Sequence, residues 1–479
     1  MALGEELVEA GLVTAEDVAG ALQLQRRSGL PLGECLLEIG AITGERLDAH
    51  FNYAMPSLTR IEDTGLGRFF LLDLMLKIMF SYGLETKKAI AEEIKLPLGI
   101  VDKLMEIAYE RRLVESLGAT DQSALVAEIR YGLSDVGRTT AIRALELSSY
   151  AGPAPVTLEQ FSAQVGRQRI VNDRVDGDRL RRALSRLTLA PGILEGLGPA
   201  VNSGRSMLFY GEPGNGKTSI AVAISQSFEQ YVYVPYAISV GGQVINIYDP
   251  ALHVPVGSNL EQREADARAS LLKSAEDPRW LRCHRPIAIA GGELTLGMLD
   301  IIHNESTRYS EAPLQLKAVS GVFLIDDLGR QESRVEDILN RWVFPLERGI
   351  DFLTLPTGKK FSVPFGSLII FSTNKPPSQL VDDAMLRRIP YKFYIGPPSL
   401  EEFETIFRSV CAEQGVEFSP ALLEELLRDF YPRHNLRLAR FHPAFIMRHV
   451  VASCRYYGRT PALGRDLLFE AAEHLVVND

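Results

Sequence analysis

The sequence predicts an α/β protein whose central part is a parallel sheet, with helical segments before and after it. Strand-like and helix-like patterns alternate between about residues 158 and 398, which is typical of parallel sheets. A glycine-rich loop lies inside that region, between a short apolar strand and a helix. The chain has 479 residues, enough for several domains, so we expect the flanking segments to fold as separate units.

The composition is that of a folded protein without general affinity for polyanions. Apolar residues make up 46% of the chain, and the formal net charge is -10. Four widely spaced cysteines disfavour a zinc site or a disulfide framework. We find no secretory signal, and the most apolar run, residues 69–80, is too short to span a bilayer. These features predict a cytoplasmic protein with no membrane insertion.

Two copies of one pattern make up the first 54 residues. Leu3-Gly4-Glu5 recurs as Leu32-Gly33-Glu34, and Thr14 recurs as Thr43 at the same offset. Each copy predicts a short helix ended by a glycine, followed by a second helix that the threonine caps. The pattern predicts a helical domain over residues 1–56.

Over residues 65–150 the sequence predicts three helices, the third over residues 99–114, then a strand over residues 124–131 and a turn at residues 134–137. This order suggests a winged helix-turn-helix. Residues 68–146 carry eleven basic and twelve acidic side chains, whereas proteins that read DNA usually present a basic face. DNA binding is therefore disfavoured, and docking to another domain or to a partner is the favoured alternative.

The glycine-rich loop has the composition of a P-loop, and Ser219 follows it in the next helix. Its residues are Gly211, Glu212, Pro213, Gly214, Asn215, Gly216, Lys217 and Thr218. The strand–loop–helix context is the one that this motif requires. Backbone N–H groups and the helix N-terminus favour phosphates, Lys217 should reach the β- and γ-phosphates, and the Thr218 hydroxyl should ligate Mg²⁺. The loop predicts an ATP site that works with Mg²⁺.

Further polar residues follow apolar strands downstream of the P-loop. Residues 322–325 lead into Asp326 and Asp327, a pattern typical of Walker B. Asp326 is predicted to hold Mg²⁺, directly or through water, and Asp327 to polarise the attacking water as general base. A second buried strand ends at Asn374.

These motifs, in this order, resemble those of AAA+ ATPases, and the resemblance runs from residue 158 to the C-terminus. It implies that Asn374 is the sensor-1 residue beside the γ-phosphate. It also implies that Arg388, in preference to Arg387, is the arginine finger for a neighbouring subunit's nucleotide. We therefore expect an α/β nucleotide-binding core over residues 157–398 and a helical lid over residues 399–479.

The resemblance is incomplete in the lid. The lid helix is predicted to start near Phe441, and Ala444 stands where the family places a sensor-2 arginine. Arg440 or Arg448 could substitute, or the function could be absent.

Two insertions indicate a subgroup. Residues 351–355 and 361–365 flank a Thr-Gly turn and predict a β-hairpin. Its position resembles that of the pre-sensor-1 hairpin of MoxR-like, chelatase-like and enhancer-binding AAA+ proteins. The long stretch 238–318 could hold an insertion that reaches a ring pore. The enhancer-binding signature Gly-Ala-Phe-Thr-Gly-Ala is missing, which disfavours activation of sigma-54 polymerase.

The N-terminal repeat resembles the MshEN domain of type II secretion and type IV pilus ATPases, which often binds cyclic di-GMP. Family motifs open with Arg-Leu-Gly, but this chain has Ala2 and Pro31 in the arginine positions. Those arginines would pair with phosphates or guanine edges. Residues 1–54 also carry nine acidic side chains against three basic ones, an unfavourable field for an anion. Binding of cyclic di-GMP is left open, and docking to a protein is the favoured alternative.

Together these features predict an ATP-hydrolysing ring motor, expected to be a homo-hexamer, that remodels an unknown protein client under control of its N-terminal domains. One alternative is a DNA-binding regulator that responds to cyclic di-GMP or another signal. Another is an accessory ATPase of a pilus or secretion system.

Overall fold

A computed structural model describes residues 4, 7–8, 11–28, 32–43, 58–119, 129–256, 276–306, 308–380 and 386–476. At its centre lies a five-stranded sheet, here called the core sheet. Its strands, in spatial order, are Tyr391–Tyr394, Met207–Tyr210, Leu368–Thr373, Val322–Ile325 and Ile287–Ala290. All four pairings are parallel, which confirms the predicted sheet. The three inner strands are almost wholly buried, because helices cover both faces of a parallel sheet.

Helices of the core surround this sheet and position its loops. They are Leu158–Arg167, Gly177–Ala183, Pro191–Ser203, Lys217–Gln226, Leu314–Lys317 and Val335–Arg348, with short 3-10 turns at Ile170–Asn172, Leu296–Leu299 and Pro377–Gln379. The predicted hairpin before strand Leu368–Thr373 is confirmed: Ile350–Thr354 pairs antiparallel with Lys360–Pro364.

A second sheet is built mostly from the long stretch 238–318. In spatial order its strands are Ile302–Asn304, Tyr309–Glu311, Gln243–Asn246, Ala237–Val240 and Val156–Thr157. A separate two-stranded antiparallel sheet is formed by Val232–Pro235 and Trp280–Cys283. Ala237 and Val244 of the second sheet join the hydrophobic core of residues 58–154. The described part of the stretch therefore packs against the preceding helices, and residues 257–275 lie outside the description.

Residues 58–154 form helices around a two-stranded hairpin. The helices are Ile61–Thr64, Arg68–Tyr82, Lys87–Ile94, Leu98–Glu110 and Asp135–Leu147, and strand Val114–Ala119 pairs antiparallel with Ile129–Leu133. The predicted strand over residues 124–131 overlaps the second of these strands, and residues 120–128 lie outside the description.

Two local predictions in this segment are wrong. The turn predicted at residues 134–137 is the start of helix Asp135–Leu147, because the Ser134 hydroxyl accepts a hydrogen bond from Gly137 N at 3.0 Å and caps the helix. The third helix, predicted to reach Val114, ends at Glu110, and Arg112 adopts a left-handed φ of 59° before the strand.

The described part of the N-terminal repeat contains helices Ala15–Ser28 and Leu32–Glu38. Thr14 caps the first as predicted: Asp17 N donates to its hydroxyl at 3.2 Å, while Thr14 N donates to the Asp17 carboxylate at 2.8 Å. The helix predicted after Thr43 lies outside the described residues. Equivalent positions of the two repeats lie in one small hydrophobic core. Leu7 of the first copy corresponds to Leu36 of the second, and Val13 corresponds to Ile42.

The C-terminal segment is helical, as predicted, and has a hydrophobic core of its own. Its helices are Leu400–Glu413, Pro420–Glu425, the π-helical turn Leu426–Phe430, Tyr431–Arg433, His442–Tyr456 and Arg465–Glu473. All four cysteines of the chain are buried free thiols. Among the described residues, no helix combines the length and apolar character that crossing a bilayer requires.

Candidate nucleotide-binding site

The glycine-rich loop leaves the carboxyl end of strand Met207–Tyr210 and runs directly into helix Lys217–Gln226. Two of its glycines are required by close approach as well as by positive φ. A Cβ on Gly211 (φ 136°) would lie 2.3 Å from the Ile395 carbonyl oxygen, and one on Gly214 (φ 78°) would lie 2.3 Å from the Phe441 ring. The loop can therefore take this path only with glycine at both positions.

Lys217 is buried in the loop and fixed by three acceptors. Its Nζ donates to the carbonyl oxygens of Gly211 and Glu212, both at 2.9 Å, and to Asn374 Oδ1 at 2.8 Å. Burial lowers the pKa of the Lys217 ammonium from its ordinary value, while the carboxylates of Asp327 and Asp326 act in the opposite direction. The ammonium thus stands where the loop and the end of strand Leu368–Thr373 meet.

Thr218 and Asp326 meet across the site. The Thr218 hydroxyl donates to Asp326 Oδ2 at 2.7 Å, although the two residues come from the P-loop and from the end of strand Val322–Ile325. A hydroxyl and a carboxylate are the hard oxygen donors that Mg²⁺ prefers, and Mg²⁺ usually takes its other ligands from phosphates and water. The donor set therefore fits a Mg²⁺–nucleotide complex.

Asp327 and Asn374 also lie together at the carboxyl edge of the core sheet. Asn374 Nδ2 donates to Asp327 Oδ1 at 2.7 Å, so its amide bridges Lys217 on one side and Asp327 on the other. Asp327 adopts a left-handed φ of 49°, which aspartate tolerates better than most residues. The predicted base and sensor residues are thus in direct contact.

These groups line a pocket of about 530 Å³, a size typical of small-molecule sites. Its walls are residues 186–189 and 213–220, together with Asp326, Asp327, Arg330, Ser372, Asn374, Ile406, Arg440 and Phe441. One polar part of the wall is formed by the P-loop and by the residues that follow strands Val322–Ile325 and Leu368–Thr373. Leu187, Leu189, Ile406 and Phe441 supply apolar surface to the same pocket.

The arginine pair lies away from this pocket. Arg387 and Arg388 precede strand Tyr391–Tyr394, and the Ser206 hydroxyl donates to the Arg388 carbonyl oxygen at 3.2 Å just before strand Met207–Tyr210. Arg388 Nε donates to Glu347 Oε1 at 2.6 Å. The pair is therefore at the amino edge of the core sheet, whereas the P-loop is at the carboxyl edge.

The C-terminal segment contributes Ile406, Arg440 and Phe441 to the pocket wall. Phe441 N donates to the Gly214 carbonyl oxygen at 3.1 Å, and Arg440 N donates to Asn215 Oδ1 at 3.2 Å. Of the two arginines considered for the lid, Arg440 lines the pocket and Arg448 does not. The contact of Arg440 and Phe441 with the P-loop was hard to predict, because an Arg-Phe pair just before a helix is not a known phosphate-binding motif.

A family model described as a domain of unknown function, DUF8689, matches residues 399–474. No curated protein matches the chain. Among solved structures, a RuvB mutant from Thermotoga maritima is 12% identical with a TM-score of 0.31, over 64% of this chain and 73% of that one. NtrX from Brucella abortus is 12% identical with a TM-score of 0.35, over 79% of this chain and 63% of that one. Neither similarity is close enough to identify a fold or a function for this chain.

Proposed function

We propose that this chain is a Mg²⁺-dependent ATP hydrolase of the AAA+ class. One observation carries the proposal: a continuous set of contacts joins three separate sequence motifs at one edge of the core sheet. Lys217 and Thr218 of the P-loop contact Asn374 and Asp326, and Asn374 contacts Asp327. A glycine-rich turn without a ligand would not require the ends of three strands to converge in this way.

The side chains have distinct roles in hydrolysis. P-loop N–H groups and Lys217 bind the phosphates, and Asn374 orients the attacking water next to Asp327. The water oxygen bonds to the γ-phosphorus, the bond from that phosphorus to the β–γ bridging oxygen breaks, and ADP leaves with the electron pair. Asp327 accepts the proton of the water. When bound at Thr218 and Asp326, Mg²⁺ supplies positive charge to the β- and γ-phosphates.

We further propose that the chain assembles as a homo-oligomer, with a hexamer as the expected size, and remodels a protein client. The hairpin before strand Leu368–Thr373 supports contact with a polypeptide. Ile350 and Phe352 on its outer face are 41% and 51% exposed, and Phe352 packs against the exposed Phe344 with ring centroids 5.3 Å apart. Exposed apolar side chains on a hairpin of this kind suit transient contact with unfolded segments.

Control by the N-terminal segments belongs to the same proposal. Residues 1–56 are proposed as an MshEN-like domain and residues 65–150 as a winged-helix-like domain, and we propose protein docking as the function of both. The helix-and-hairpin arrangement of residues 68–147 supports the second assignment.

The proposal is tested with the purified full chain. Wild-type protein should bind a fluorescent ATP analogue with Mg²⁺ and release phosphate from ATP, whereas Lys217→Ala should lose binding or turnover, because it removes the ammonium at the β- and γ-phosphates. The control is Lys392→Ala, since Lys392 lies on the edge strand and donates to the Ile389 carbonyl oxygen away from the pocket. Equal phosphate release by wild-type protein and Lys217→Ala would refute the proposal.

A further inference from the structure

The cations that line the nucleotide pocket fall into two groups. Lys217 is fixed by three acceptors, and Arg440 pairs with Glu402 at 2.7 Å and donates to the Thr188 carbonyl oxygen. Arg330 and Arg186, by contrast, have no hydrogen bond or ion pair for their guanidinium groups among the described residues. Two positive charges at the pocket wall are therefore available to an anion.

The backbone that carries Arg330 is held firmly against the catalytic strands. Arg330 N donates to the Asp327 carbonyl oxygen at 3.0 Å, which closes a tight turn after the two aspartates. Within that turn, Leu328 N donates to the Ser372 carbonyl oxygen at 2.7 Å, and the Thr373 hydroxyl donates to the Leu328 carbonyl oxygen at 2.8 Å. The turn is thus fixed to the strand that ends at Asn374, so the base of the Arg330 side chain has a set position relative to Asp327.

Charge explains why an arginine is useful at this position. Asp326 and Asp327 place two carboxylates in the pocket; they accept hydrogen bonds from Thr218 and Asn374, and among the described residues Arg330 pairs with neither. A Mg²⁺–ATP complex brings further negative charge, and Lys217 alone cannot balance it. Charge that develops on the transferring phosphoryl group calls for an additional donor at the γ-phosphate.

We propose that Arg330 binds the γ-phosphate of the nucleotide held by its own chain and stabilises the charge that develops there during hydrolysis. This inference rests on the proposed ATP hydrolase function. Arg330 adjoins Asp327 in the turn and therefore lies at the hydrolytic end of the pocket. Arg186 adjoins Leu187, Thr188 and Leu189 and also borders a second cavity, so it belongs to a different part of the wall.

The test compares affinities for ADP and for a non-hydrolysable ATP analogue, each with Mg²⁺, in the full chain. Arg330→Ala should weaken binding of the ATP analogue about 10-fold or more, leave ADP affinity unchanged, and lower turnover on the order of 100-fold. Arg330→Lys should recover part of the analogue affinity. Arg334→Ala is the matched control, because Arg334 follows in the same loop but pairs with Glu336 outside the pocket.

The outcomes separate this inference from the function on which it rests. If wild-type protein binds the analogue and releases phosphate from ATP, and Lys217→Ala does not release phosphate, the function stands. In that case, an Arg330→Ala variant that binds both nucleotides and turns over like wild type overturns the inference. A variant that loses ADP and ATP-analogue affinity equally also overturns it, since the γ-phosphate then makes no difference. Wild-type protein that binds neither nucleotide overturns both.

Discussion

At the scale of single residues, Asp327 combines a proton-accepting position with an unusual backbone conformation. Its carboxylate accepts from Asn374 Nδ2 at 2.7 Å, and its φ is 49°. Asparagine also tolerates left-handed backbone, so Asp327→Asn should preserve the turn and the nucleotide affinity. Because an amide cannot accept the proton of the water, turnover should fall about 10²- to 10⁴-fold. Single-turnover phosphate release measures the turnover, and nucleotide titration measures the affinity. Normal turnover in this variant would show that Asp327 is not the base.

Another residue-scale prediction concerns His442, at the start of the helix that follows Phe441. The imidazole is buried and its Nδ1 lies 2.9 Å from the Tyr431 hydroxyl; burial lowers the pKa of His442 from 6.5 to about 4. The unfolded chain therefore binds a proton at higher pH than the folded chain. Stability is fully present above pH 6.5 and should be lost as pH falls toward 4, by at most about 1.4 kcal/mol per pH unit from this group. The Tm of His442→Gln should fall less than that of wild type between pH 7 and pH 5, and equal decreases would contradict the assignment.

At the scale of elements, one buried arginine joins three segments. Arg279, which is 0% exposed, pairs with Asp277 through two nitrogens, and its Nη1 donates to the carbonyl oxygens of Thr64 and Pro155 at 2.9 and 3.1 Å. Arg279→Ala would leave the Asp277 carboxylate buried without compensation, so we expect a loss of about 3–5 kcal/mol in denaturant unfolding of the full chain. The double variant Arg279→Met with Asp277→Leu should recover part of this loss. If Arg279→Ala leaves the unfolding midpoint unchanged, the pair does not hold these segments together.

The elements that could be predicted from the sequence are those whose pattern is local. The inner strands of the core sheet are continuous apolar runs because both of their faces are buried, and each leads into the glycine loop, Asp326 or Asn374. The second sheet could not be predicted, since its strands have only two to four residues and two of its four pairings join distant segments of the chain. The start of helix Asp135–Leu147 was predicted as a turn for another reason. Serine, aspartate and glycine are favoured both in turns and at helix caps. The roles of Arg330 and Phe441 in the pocket wall depend on tertiary placement, which no local motif records.

At the scale of the whole molecule, the N-terminal helices and the nucleotide core are connected through the second sheet. Ala237 and Val244 of that sheet lie in the hydrophobic core of residues 58–154, and the rings of Tyr150 and Tyr309 meet edge to face with centroids 5.7 Å apart. Strand Val156–Thr157, which follows the N-terminal helices, is itself an edge strand of the second sheet. The N-terminal helices therefore pack directly against the stretch of chain between helix Lys217–Gln226 and strand Ile287–Ala290.

The position of Arg388 leads to a prediction about assembly. It precedes strand Tyr391–Tyr394, which runs parallel to Met207–Tyr210, while the P-loop follows the latter strand at its opposite end. A four-residue strand spans about 13 Å, so Arg388 lies at the far edge of the sheet from the nucleotide of its own chain. If Arg388 acts on phosphate, it must act on the nucleotide of a second copy.

Arg388→Ala should therefore bind ATP normally and lose turnover about 10³-fold, as expected for an arginine supplied by a neighbouring subunit. Mixing it with Lys217→Ala, which lacks its own nucleotide site but keeps Arg388, should restore phosphate release, because each mutant supplies what the other lacks. Arg387→Ala is the matched control and should retain turnover by itself. Light scattering with and without nucleotide measures the assembly in parallel. If the mixture stays inactive although the two mutants co-assemble, Arg388 does not complete a shared site, and its hydrogen bond to Glu347 is structural.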